Sequence, residues 1–121
     1  FYGDNATPQS AQAGKITASV TGNVTDLALA TALGANQLEL HYPLPAWTVM
    51  ESVSAQVRVY IRADAQVATG VFGTGTSTLS NVPHTVSFSS GQGKVVYTSF
   101  HQEPGINAEM ERVLQLLVFE L

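Results

Sequence analysis

At 121 residues, 45% of them hydrophobic, the chain has the size and composition of one packed domain with a single core. Charged residues make up only 12% of it, where ordinary soluble domains carry about 25%. The net charge is −4, and the five basic residues (Lys15, Arg58, Arg62, Lys94 and Arg112) are scattered. No run of them neutralises several phosphates, which excludes a nucleic-acid partner and a basic membrane-surface helix.

The longest apolar segment, Val113 to Phe119, is interrupted by Gln115 and far shorter than a bilayer span, so no membrane insertion is expected. Cysteine is absent, which excludes disulfides, thiolate metal sites and a cysteine nucleophile. Ala, Thr, Ser, Val and Gly fill the surface in place of charge. Secreted and self-associating proteins often have such surfaces, because little repulsion opposes contact. The sequence starts at Phe1 without an initiator Met or a signal-like segment, as expected of a trimmed mature protein or a fragment.

Residues 1–14 lack periodicity and read as a flexible N-terminal arm, with residues 15–121 as a single globular domain. Asn5-Ala6-Thr7 and Asn23-Val24-Thr25 match the glycosylation sequon, which matters only in a secretory eukaryotic setting. Lys15 to Thr21 alternates as a short strand. Asp26 is placed to cap a two-turn helix that Gly34 ends, predicted over 26–33. Gln37 to Tyr42 puts Leu38, Leu40 and Tyr42 on one face of a strand and Glu39 and His41 on the other. Ser54 to Ala63 predicts a second half-exposed strand, with Ala55, Val57, Val59 and Ile61 inward and Arg58, Tyr60 and Arg62 outward.

From Asp64 to Pro83 a Gly/Thr/Ser-rich stretch reads as either a long mobile loop or a hairpin. His84 to Ser90 alternates with Val86 and Phe88 inward, Ser89 to Gly93 is a hairpin turn, and Lys94 to Phe100 returns as a strand. Asn107 caps the closing helix, predicted over 107–120, with Glu109 and Glu111 in its first turn. Ile106, Met110, Val113, Leu114, Leu117 and Leu121 form one apolar stripe, widened by Leu116, Val118 and Phe119, so the helix is expected to be covered on more than one side.

Candidate chemistry is sparse. The three histidines, His41, His84 and His101, lack ligand spacing such as His-x-x-x-His, and no metal site is expected. Gly70 to Gly75 lacks the Lys-Ser/Thr and helix of a phosphate loop, so no cofactor is expected. Glu39, Glu51, Asp64 and Glu103 do not cluster. Trp47, Tyr60, Tyr97 and Phe100 read as core anchors rather than a stacking surface.

The run Lys94 to Glu103, ending Ser99-Phe100-His101-Gln102-Glu103, resembles the last strand of class I glutamine amidotransferase-like domains. There an apolar strand enters Phe-His-Pro-Glu and a closing helix follows. The resemblance implies His101 as general base and Glu103 as the group that orients it, acting on a cysteine nucleophile from an upstream elbow. Gln102 stands where the family has Pro, and the chain holds neither the cysteine nor a Gly-x-Ser-x-Gly elbow.

These readings predict an α+β fold of five or six largely antiparallel or mixed strands, with a short helix near 26–33 and the C-terminal helix. The alternative is a partial three-layer α/β domain. The expected function is non-enzymatic: an extracellular or surface domain that forms a homo-oligomer or binds other protein subunits, as a structural subunit of a larger assembly. The alternatives are the C-terminal part of an amidotransferase-like hydrolase whose nucleophile lies on another segment, or a small-molecule module built on residues 64–83.

Overall fold

The computed structural model describes residues 18–42, 47–69, 75–100 and 106–120. The chain runs β1 (Ala18–Val24), α1 (Leu27–Leu33), β2 (Gln37–Tyr42), β3 (Arg58–Thr69), β4 (Gly75–Ser90), β5 (Gly93–Thr98) and α2 (Ala108–Gln115). A π-helical turn, Leu116–Glu120, continues α2. The strands form one sheet in the order β2-β1-β3-β4-β5, and every pairing is antiparallel. The fold is therefore α+β with the sheet dominant. A three-layer α/β domain needs parallel strands, and none occurs among the described residues.

α1 begins where Asp26, in extended backbone, accepts a hydrogen bond from Leu29 N at 3.0 Å. It ends at Gly34, whose φ of +70° lets its N–H reach the Ala30 and Thr31 carbonyls. Arg58 Nε donates to Asp26 Oδ2 at 2.6 Å, which ties the helix start to β3. Between them the helix buries Leu29 and Ala30. β2 keeps the expected alternation, with Leu38, Leu40 and Tyr42 buried. Predicted strand 15–21 lies partly outside the described residues, and β1 extends further, to Val24.

The stretch 64–83 is a hairpin, not a loop: Ala65 to Thr69 pairs with Gly75 to Leu79, and residues 70–74 lie outside the described residues. Asn81 carries a left-handed φ of 54°, where the register shifts between Ala63↔Val82 and Ala65↔Leu79. Asp64 Oδ1 accepts from Asn81 N, and Arg62 Nη1 donates to the Asn81 carbonyl. Asparagine tolerates this conformation better than branched residues do. Below the bulge, β4 is buried at every position from Val82 to Ser87. A tight turn with Gly91 at φ +59° then leads to β5.

Two expectations need correction. β3 starts at Arg58 rather than near Ser54, and Tyr60 is fully buried instead of facing water. A register shift between Val59 and Ile61 breaks the two-residue alternation there, so both Tyr60 and Ile61 turn inward. At the C-terminus, Met110, Val113, Leu116 and Leu117 are buried as expected, but Val118 and Phe119 are exposed. The α-helix gives way to a π-turn after Gln115, and Val118 and Phe119, which lie outside the main stripe, project away from the core.

One apolar cluster joins Leu29 of α1, Leu38 and Leu40 of β2, Ile61 and Val67 of β3, and Met110, Val113 and Leu116 from the C-terminal helix. That helix also covers the outer edge of β2. Glu39 N donates to Glu109 Oε2 at 2.9 Å, and Asn107 Nδ2 donates to the Glu39 carbonyl at 2.8 Å. Asn107 Oδ1 meanwhile accepts from Met110 N at 2.8 Å, so one side chain caps both a helix and a strand.

Candidate functional site

His101 and Glu103, the pair implied by the amidotransferase resemblance, lie outside the described residues. The other two histidines have separate settings. His41 shares a hydrogen bond with Ser19 Oγ through Nδ1 at 3.1 Å, while His84 is fully buried in β4. No group of three His, Asp or Glu side chains able to hold a metal ion occurs among the described residues. Trp47, Tyr60 and Phe100 are buried as core anchors, and Tyr97 is half-buried.

The sequence reading missed a buried polar cluster around His84. The Tyr42 hydroxyl shares a hydrogen bond with His84 Nδ1, and Trp47 stacks on the Tyr42 ring with centroids 3.8 Å apart. Ser99 donates to the His84 carbonyl twice, from N and from Oγ, both at 2.9 Å. Burial holds the imidazole down to about 4, with the Ala63 backbone and the Asp64 charge acting weakly against it. Neither closes a hydrogen bond to Nε2, which is unpartnered. Burial pushes the Tyr42 phenol well above its ordinary range, while the Ser99 side chain acts in the opposite direction.

At neutral pH the cluster therefore holds a neutral imidazole and a protonated phenol. A general base must approach the proton it removes within about 3 Å, and His84 has no exposed surface from which to do so. The arrangement ties the end of β2 to the centre of β4. A signal for it existed: His84 shares strand parity with Val86 and Phe88, both expected to face inward.

Two surface features remain. The 64–83 region contributes Asp64, Gln66 and Thr78 to a cleft of about 390 Å³ completed by Ser19, Val20 and Trp47. Elsewhere, Val95 of β5 is exposed at 39%, and three large apolar side chains stand more than half in solvent: Leu27 at 82% exposure, Val118 at 62% and Phe119 at 82%. They sit on α1 and on the π-turn, two elements that pack against each other. Scattered apolar residues are ordinary on protein surfaces, but large ones grouped on touching elements mark contact surfaces.

No family model, curated protein or solved structure matches the chain. No helix among the described residues is long and apolar enough to cross a membrane.

Proposed function

We propose that this domain works by association, as a self-assembling or protein-binding subunit whose contact surface is built on Leu27, Val118 and Phe119. The observation that carries this reading is the exposure of Val118 and Phe119 on a π-turn that packs against α1, where Leu27 is exposed as well. Each such side chain gains roughly 1.5–3 kcal/mol when a partner removes it from water. The low charge of the chain leaves little repulsion against a second copy. An extracellular or surface location fits the same composition.

Light scattering across a salt series tests the reading. The wild-type chain is expected to form oligomers that persist in high salt, as apolar contacts do and surface ion pairs do not. Phe119→Ser combined with Val118→Ser is expected to shift the population to monomer with unchanged circular dichroism. A wild type that stays monomeric at high concentration would overturn self-association.

A second reading keeps the amidotransferase resemblance. Its support is the order of β5 followed by a closing helix, with His101 and Glu103 between them. In that case the nucleophile comes from another segment. Hydrolysis by a longer chain that His101→Ala abolishes without unfolding it would favour this reading over association.

A further inference from the structure

The C-terminal helix carries an apolar knob at one end and an apolar groove at the other. Phe119 stands 82% exposed on the π-turn. At the start of α2, Ala108 joins Leu33 of α1 and Ala35 just after it to line an open groove of about 230 Å³. Glu109 and Arg112 border the groove too, and both are already engaged within the chain. A cavity of about 150 Å³ takes a benzene ring, so the groove has room for a phenylalanine side chain.

Ala108, Arg112, Gln115 and Phe119 recur at i, i+4, i+7 and i+11, the spacing of one helix face, and all four are exposed. Groove and knob therefore share one side of the helix. A rise of about 1.5 Å per residue puts Phe119 roughly 15 Å along the axis from Ala108, beyond the reach of its ring. The groove is out of range of the Phe119 of its own copy. A second copy with its α2 antiparallel brings its Phe119 opposite Ala108, and the same two-fold axis returns the first Phe119 to the second groove. In that register Arg112 stands opposite Gln115, so no like charges meet along the face. The low charge of the rest of the chain opposes such a contact little.

Resting on the association reading, we propose that the chain forms a two-fold dimer in which α2 packs antiparallel against α2. Each Phe119 fills the groove between Leu33, Ala35 and Ala108 of the other copy. The occupant of the groove is thus a second copy of this chain, and the contact is made twice.

The test is sedimentation equilibrium of the whole chain at high salt, with two variants that keep the wild-type circular dichroism. Phe119→Ser removes the knob; Ala35→Glu combined with Ala108→Glu blocks the groove at two exposed positions. Wild type is expected to be dimeric and each variant monomeric alone. An equimolar mixture of the two is expected to form a heterodimer at least about tenfold tighter than either variant with itself, because one intact knob meets one intact groove. A groove variant that dimerises like wild type while Phe119→Ser does not would overturn the groove as the docking site and leave association through Phe119 standing. A mixture that stays monomeric would overturn the proposal as well. So would a wild-type mass above the dimer, which would mean head-to-tail rather than reciprocal contact. Wild type monomeric up to ~1 mM would overturn both this dimer and self-association itself.

Discussion

His84 is the residue at which burial has the clearest thermodynamic consequence. Its folded pKa, lowered to about 4 by burial, lies below the ordinary value of 6.5 in the unfolded chain. Between those values the unfolded state binds a proton that the folded state refuses, so folding stability falls as pH drops from 6.5 toward 4. The full shift corresponds to on the order of 3 kcal/mol. Urea unfolding at pH 7 and at pH 4.5 is expected to show the loss, and His84→Gln is expected to flatten the dependence over that window. A wild-type midpoint that does not move between the two pH values would mean that the ring is protonated inside the fold. Gly22 is a different single-residue constraint: a Cβ there would come within 2.9 Å of Ile61 Cγ2, so only glycine lets β1 pass over that side chain.

At the scale of elements, the helix starts are set by short, local chemistry. Asp26 caps α1 and also pairs with Arg58, and the two contributions are separable. Burial alone would raise the Asp26 carboxyl, but the Arg58 and Leu29 hydrogen bonds outweigh it and hold the pKa below its ordinary value. Stability from this group is therefore present above the unfolded carboxylate range and lost as pH falls through the lowered value. Asp26→Ala is expected to cost about 1–2 kcal/mol in chemical denaturation. Asp26→Asn keeps the cap and loses only the ion pair with a half-exposed arginine, so its cost is expected to stay below about 1 kcal/mol.

The same contrast explains what was legible in the sequence. Caps at Asp26, Gly34 and Asn107 depend on neighbours within four residues, and all three stand where the pattern put them. The alternation of β2 was equally readable. Tyr60 was not, because its inward turn depends on a register shift against β4, a partner more than twenty residues away. The π-turn was not readable either, since a period of 3.6 residues through Phe119 is as plausible on paper as a helix that widens at Leu116. The polar cluster was half legible: strand parity pointed His84 inward, but its partners Tyr42, Trp47 and Ser99 arrive from three other parts of the chain.

Over the whole molecule, the β2 end of the sheet is covered by the closing helix, and that bears on aggregation. β2, at one end, has the Glu39 N–H and carbonyl and the His41 N–H engaged by Glu109, Asn107 and Met110 of the closing helix. An uncovered strand edge is a template for pairing with another chain, and the helix removes that template. Asn107 is the joint between the two functions, as the cap of α2 and a donor to the Glu39 carbonyl. Asn107→Ala is expected to lower stability by about 1–2 kcal/mol and to speed aggregation on mild heating, because cap and edge cover are lost together. Asn107→Asp restores an acceptor for Met110 N but presents a carboxylate, with no donor, to the Glu39 carbonyl. It is expected to recover part of the lost stability while remaining as aggregation-prone as the alanine variant. If Asn107→Asp aggregated no faster than wild type, the edge contact would contribute nothing to solubility. The ordered association assigned to Phe119 and the disordered association held off by Asn107 would then no longer be separate properties of separate surfaces.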